Sequence, residues 1–397
     1  MKPLDNLTVV EVGQVVSAPF SGMLFADMGA DVLKIERPET GDSQRHTTPG
    51  SHSVGDFEFL NRNKRSIELN LGSESGQQIF DDLLAEADIL IENLSPGAFD
   101  RLGLPFEQLV ERHDGLIIGS IKGFGSGPYE DRLGMDHPIE VESGITYMTG
   151  LSDQPLRVGF SVVDISSATY LVVGALSMVQ RLPLPPDQRH FTVGMFESAA
   201  LLMGQPMAYA TIEGEAPVPL NEGIFKWAVY DYFDTADGEK VFVGLVSDAQ
   251  WERFAMEFGL EDLLQDPDLQ DESARVEQRP RIQERVGAAL ADLPRAEVLN
   301  RLDEIRVPYA PFQTPADLLE DDHLSAGDKY VTWEGDDGEV RLPIPPMEGS
   351  FFEYETDDAA TPRLGADTAA TLRDLGYSWS EIEQLREKGV IGDPDTE

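Results

Sequence analysis

The sequence predicts an α/β protein: a large, doubly wound domain on a parallel sheet, followed by a smaller α+β domain. Three observations carry this reading. Short apolar runs alternate with amphipathic helical stretches through the first 125 residues, which implies parallel strands joined by crossovers. Two strand-like runs around a turn containing Asp237-Gly238 then follow a stretch without periodicity. Finally, 397 residues exceed what one simple core organises.

Taken in order, Leu7-Thr8-Val9-Val10-Glu11-Val12 reads as a buried strand. Ser17-Ala18-Pro19 opens a helix, with proline tolerated in its first turn. Phe20, Leu24, Phe25 and Met28 fall on one face of that helix, and Gly29 ends it. Asp31-Val32-Leu33-Lys34-Ile35-Glu36 is the next strand. The unit recurs as a helix over residues 73–87, with Ile79, Leu83 and Leu84 inward, and a strand at Asp88-Ile89-Leu90-Ile91-Glu92. A further strand follows at Gly115-Leu116-Ile117-Ile118-Gly119-Ser120-Ile121. A long helix is expected from Asp164 to about Leu182, apolar along Ala168, Leu171, Val172, Ala175 and Met178. The expected division is a large domain over residues 1–210, a linker over 211–223, a small domain over 224–310, and a return to the large domain over 311–397. That last part closes with helices near Thr368 to Leu375 and Ser380 to Lys388, the latter capped by Gly389.

Composition narrows the class. The 73 acidic side chains against 30 basic ones leave a net charge of −43, and only eight of the basic residues are lysine. At about 0.15 M salt the Debye length is about 8 Å, and molar salt shortens it to about 3 Å. A surface this negative repels itself unless screened, so the dispersed acids point to a cytoplasm rich in salt. Nucleic acid and membranes are not expected partners, because anionic surfaces need a basic stripe. No run approaches the roughly 20 apolar residues of a membrane span, and the N-terminus carries no apolar signal core. With no cysteine, disulfides, thiolate metal sites and cysteine nucleophiles are excluded. No metal site is expected.

The common ligand motifs of α/β proteins are missing. Gly13-Gln14-Val15-Val16-Ser17-Ala18-Pro19 does not match Gly-x-Gly-x-x-Gly, and no phosphate loop, His-Glu-x-x-His or Gly-x-Ser-x-Gly occurs. Instead a basic cluster, Lys34, Arg37, Arg45, Arg62, Lys64 and Arg65, stands out on an acidic chain. Loops at the carboxyl ends of parallel strands bind ligands, and arginine grips phosphate with two parallel bonds. The cluster therefore favours a phosphorylated ligand. Asp164, taken by its spacing, is a helix N-cap, and a helix N-terminus favours an ionised carboxylate.

Several blocks together resemble family III CoA-transferases, the group of formyl-CoA transferase, carnitine CoA-transferase and α-methylacyl-CoA racemase. The blocks are Ile35-Glu36-Arg37-Pro38 with Gly41-Asp42, Asn63-Lys64-Arg65-Ser66-Ile67-Glu68-Leu69-Asn70-Leu71, Ala87 to Gly97 with Leu102-Gly103-Leu104, and Ser120 to Gly125. Val307-Pro308-Tyr309-Ala310-Pro311 and Pro362 to Thr368 follow in the same order. The resemblance implies a Rossmann-like large domain that binds coenzyme A, and a homodimer of interlocked rings. By position it implies that Val16, Arg37, Lys64, Arg65, Asn93, Arg101 and Lys122 hold coenzyme A, and that Asp164, in Val162-Val163-Asp164-Ile165, is the catalytic carboxylate.

The implied activity is acyl-CoA:carboxylate CoA transfer through a mixed anhydride and an aspartyl-CoA thioester. By analogy with transferases of salt-adapted archaea, the acids are small dicarboxylates of the succinate and mesaconate kind. Two departures bear on this. The glycine-rich flap of formyl-CoA transferases is reduced to Gly223 between about Glu215 and Trp227. Where the racemases carry a histidine before an aspartate, this chain reads Gly134-Met135-Asp136-His137. Racemisation needs two bases on opposite faces of a carbon, so it ranks as an alternative, and a non-catalytic CoA-binding protein as another. Asp136, His137 and Glu140 are expected pocket residues near the nucleophile.

Overall fold

The computed structural model describes residues 2–46, 53–222, 226–335, 338–352, 354 and 359–392. Gly223, the remnant of the expected flap, lies outside the described residues. By contacts the chain divides into two compact units, Met1–Asn221 with Leu324–Glu397, and Glu222–His323.

The large unit is built on six parallel strands: β1 (Thr8–Val12), β2 (Asp31–Glu36), β3 (Arg65–Glu68), β4 (Ile89–Glu92), β5 (Ile117–Lys122) and β6 (His190–Gly194). Their order is β3-β2-β1-β4-β5-β6, and each neighbouring pair is parallel. The chain winds outward from β1 to β3, then returns and winds the other way from β4. The direction reverses between β1 and β4, the switch point at which open α/β sheets bind ligands. β6 was not legible in the sequence. It is an edge strand, half-exposed along most of its length, and it lacks the apolar run that marks β1, β4 and β5.

Alternate strand residues feed two cores. On one face Val10, Leu33, Ile67 and Leu90 pack with Phe80, Leu84 and the C-terminal Leu372 and Ile382. On the other, Val9, Val32, Ile89 and Ile117 meet Phe25, Ala168 and Leu171. The helix Val162–Val179 has the length and apolarity of a membrane span, a match that the run-length reading did not flag. It buries Val163, Ala168, Leu171, Val172 and Ala175 in this second core.

The smaller unit carries β7 (Tyr230–Asp234), β8 (Lys240–Gly244) and β9 (Tyr309–Pro311), in the antiparallel order β7-β8-β9. Gly238 makes the β7–β8 turn at φ +78°, a conformation that costs glycine nothing. Trp251, Phe254, Ile282, Val286 and Leu302 supply its core. The large unit's first part runs to Asn221 rather than residue 210, and the small unit covers Glu222–His323 rather than 224–310. The helix Gly204–Glu213 takes the first residues of the stretch read as linker, and the small unit runs on beyond β9 as far as His323. The large unit resumes with the hairpin β10 (Tyr330–Gly335) and β11 (Gly338–Pro343).

Candidate active site

A cleft of about 550 Å³ opens at the carboxyl ends of β1 and β2, lined by Gly13, Gln14, Arg37, Gly41, Asn70 and Leu71 among others. Of the basic cluster expected to meet phosphate, Arg37 alone lines this cleft, and it is exposed.

The other members of the cluster are structural. Lys34 is fully buried, and its ammonium donates to Glu11 Oε1 at 2.9 Å, Asp42 Oδ2 at 3.0 Å and Gly13 O at 3.1 Å. Lys64 donates to Glu11 Oε2 at 2.7 Å, Pro19 O at 2.8 Å and Asn61 Oδ1 at 3.1 Å. Three acceptors saturate each ammonium, so Lys64 has no donor left for coenzyme A. Gly22 makes room for this network, because a Cβ there would sit 2.0 Å from Glu11 Oε2. Arg62 is buried against Asp27 at 2.7 Å, and Arg45 pairs with Glu36 at 2.7 Å. Arg65 begins β3 and bonds Asp31 at 2.9 Å and Thr371 Oγ1 at 2.7 Å. It thus stands at the amino edge of the sheet, opposite the cleft. The cluster's charge is spent on folding, because a chain this acidic offers a carboxylate to every inward-turning cation.

Lys122, at the end of β5, contacts Glu92 Oε1 at 2.7 Å, Glu92 Oε2 at 2.8 Å and Leu94 O at 2.8 Å. Arg101 ties its own loop through Pro96 O and Ser95 Oγ, both at 2.9 Å. Val16 acts through its backbone, its carbonyl accepting from Phe20 N at 2.7 Å to start the helix Ser17–Asp27. Asn93 follows β4 and reaches across the switch point. It accepts from Gln14 N at 3.1 Å and donates to Gln14 O at 2.9 Å and Ser17 Oγ at 3.0 Å.

Asp164 is not the helix cap that its spacing indicates. The helix begins at Val162, and Ser161 occupies the cap position without a side-chain bond. The acceptor comes instead from 28 residues earlier: Asp136 Oδ1 takes Val163 N at 2.9 Å and Asp164 N at 3.2 Å. This frees the Asp164 side chain. Burial and the neighbouring Asp136 raise its pKa to about 7, opposed by a hydrogen bond from Ser17 and by Arg157. The N-terminal helix position was expected to keep it ionised, but loss of water outweighs that effect. Ser17 was overlooked as a site residue. Its only sequence signal, preceding proline at a helix start, is the one that marks an ordinary cap.

Asp136 Oδ2 accepts from Arg157 Nη2 at 3.2 Å. Glu140 is fully buried, accepts from Val158 N at 3.0 Å through Oε2, and has its pKa raised by burial and by Asp136. His137 is half exposed and lies 3.8 Å from Glu140 Oε1. The structure thus brings Asp136, Glu140 and Asp164 together and leaves His137 at the surface.

The family profile of CoA-transferase family III matches residues 4–368. The chain belongs to CoA-transferase family III. As a family III CoA-transferase it is an enzyme that acts on CoA thioesters. It is 29% identical to the succinyl-CoA–D-citramalate CoA-transferase of Chloroflexus aurantiacus, over 98% of each chain. It is 32% identical to the succinyl-CoA:mesaconate CoA-transferase of Haloarcula hispanica, over 88% of this chain and 90% of that one. A crystal structure of a CAIB/BAIF family protein from Brucella suis superposes with TM-score 0.83 at 29% identity, covering 94% of this chain and 99% of that one. The family III fold therefore accounts for the parallel sheet and its helices, and the cleft at the carboxyl ends of β1 and β2 is the candidate CoA site.

Proposed function

We propose that this enzyme exchanges coenzyme A between small dicarboxylic acids, with Asp164 as the nucleophile. The observation that supports it is the run of polar groups that leads from the cleft toward one carboxyl group. Gln14 lines the cleft, Asn93 joins Gln14 to Ser17, and Ser17 acts on Asp164, lowering its pKa. A group with pKa about 7 is both available as carboxylate and reactive at neutral pH.

In the proposed sequence, an Asp164 carboxylate oxygen attacks the acyl carbonyl of the donor, giving a mixed anhydride and CoA thiolate. The thiolate attacks the aspartyl carbonyl, which releases the donor acid and leaves an Asp164–CoA thioester. An acceptor carboxylate then attacks this thioester and expels the thiolate. The thiolate takes the acceptor's acyl group and regenerates the Asp164 carboxylate. The anhydrides hydrolyse in water, so the site must exclude it. Two relatives named for succinyl-CoA with D-citramalate and with mesaconate support dicarboxylates as the acids.

The test is the intact mass and peptide map of protein incubated with succinyl-CoA. A CoA adduct on the peptide carrying Asp164, lost in Asp164→Ala, is expected. No adduct but deuterium uptake at the α-carbon of a 2-methylacyl-CoA would replace this reading with racemisation. The surroundings of Asp164 disfavour that outcome, because Met135 fills the histidine's position and His137 points to solvent.

The enzyme is further proposed to work as an interlocked homodimer in concentrated salt. Leu201, Met207, Tyr209 and Ile212 on consecutive helices, with Val173 on the helix Val162–Val179, are exposed apolar side chains that suit a second copy of the chain. The net charge of −43 opposes that association until it is screened. Activity and dimer content should therefore fall together as KCl is lowered toward about 0.1 M, where the Debye length reaches about 10 Å. Sedimentation and initial rates across a KCl series check this. Full activity in dilute buffer would overturn the salt-adapted reading and leave the transferase one intact.

A further inference from the structure

Arg157 is held unlike the other cations of the site. Lys34 and Lys64 each spend three donors on buried acceptors, and Lys122 is bound by Glu92 and Leu94 O. Arg157 makes two single, long contacts: Nη2 to Asp136 Oδ2 at 3.2 Å and Nε to Glu140 Oε1 at 3.5 Å. Among the described residues its Nη1 has no partner, and the side chain is 51% exposed. A guanidinium carries five donors in a planar fork suited to a carboxylate, so most of its capacity is unused.

Its position is equally specific. The two oxygens of Asp136 divide their bonds, one holding the backbone N–H of Asp164 and the other the guanidinium. Arg157 therefore lies within the reach of one carboxylate from the nucleophile's own backbone, and its charge acts on Asp164. The immediate surroundings are otherwise acidic, with Asp136, Glu140 and Asp164 against this single cation. A mono-anion loses one negative charge from the collision when its carboxylate reacts. A di-anion brings a second charge that nothing else here balances.

We infer that Arg157 receives the non-reacting carboxylate of the acid that exchanges coenzyme A at Asp164, and so selects dicarboxylic over monocarboxylic acids. The inference rests on the transferase reading above. In binding the substrate, the guanidinium turns its free edge toward the incoming carboxylate, while the contacts to Asp136 and Glu140 limit how far it swings. Glu140 Oε1, buried without a hydrogen-bond donor, holds the cation back by charge alone.

The experiment compares succinate with butyrate, acids of equal chain length that differ in one carboxylate, as acceptors from the same CoA thioester in concentrated KCl. In Arg157→Gln the succinate-to-butyrate ratio of kcat/KM should fall about 10- to 100-fold, the worth of a charge-assisted hydrogen-bonded pair. Arg157→Lys should keep part of the preference, since it retains the charge and loses the fork. It also serves if the glutamine variant does not fold. A ratio unmoved in both variants, with both acids affected equally, would overturn the role of Arg157 and leave the transferase reading standing. A wild-type enzyme that transfers to neither acid while forming no adduct would overturn both.

Discussion

Asp164→Asn is expected to lower kcat by about 10,000-fold or more, the usual cost of removing a covalent nucleophile. The change is nearly isosteric, so Asp136 still caps the helix and the fold is kept. In the parent enzyme, kcat/KM should rise about tenfold per pH unit on the acidic side and level off above pH 7, because only the carboxylate attacks and its pKa is about 7. The stability effect has the opposite sign. The folded pKa lies above the model-compound value of 3.8, so between that value and about 7 the folded state binds the extra proton and stability falls as pH rises. The uncharged asparagine removes this penalty. The variant should therefore melt no lower than the parent at pH 8, and its advantage should vanish near pH 4. A variant that keeps more than about 1% of kcat would remove Asp164 from the chemistry, since such losses mark groups that act indirectly.

Glu11→Ala should cost about 3–5 kcal/mol of folding stability, the range for breaking a buried ion pair by deleting one partner. Burial pushes Glu11 up, but Lys34 and Lys64 outweigh it and hold its carboxyl below the ordinary range. Removing it leaves both ammoniums buried, with Asp42 bonded to Lys34 and Glu36 acting on Lys34 by charge alone. The loss is read by urea denaturation in concentrated KCl. Glu36 belongs to the same region: burial raises it, yet Arg45 and Lys34 bring it to about 2. Groups whose folded pKa is depressed contribute stability above their unfolded pKa and lose it as pH falls through the folded one. Acid unfolding should thus develop between about pH 4.5 and 2 for Glu36, and the Glu11 contribution should fade in the same direction. A Glu11→Ala protein within 1 kcal/mol of the parent would show that the lysines find water or other acceptors, against the buried-pair range.

The two halves of the site differed in how far the sequence revealed them. β1, β2, β4 and β5 were readable because buried parallel strands are continuous apolar runs, and the cleft lies at their carboxyl ends, beyond β1 and β2. Arg37 was readable for the same reason, as the residue just past a strand end. Lys34, Arg62 and Lys64 were misread, because their acceptors, Glu11 and Asp27, come from other elements and linear proximity does not say which side chains turn inward. Asp164 was placed at the right helix for an incomplete reason: its own carboxyl looked like a cap, while the cap is supplied by Asp136 from a separate helix. Ser17 carried only the signal of an ordinary helix start, and Arg157 carried none. Their roles exist only once the loop after β1 and the approach to the helix Val162–Val179 come together.

The shared carboxylate of Asp136 also bears on how such an enzyme changes over generations. One side chain starts the helix that carries Asp164, adds to the burial that raises the pKa of Asp164, and bonds Arg157. A replacement at that position therefore disturbs three contacts at once: the bonds to Val163 N and Asp164 N and the bond from Arg157.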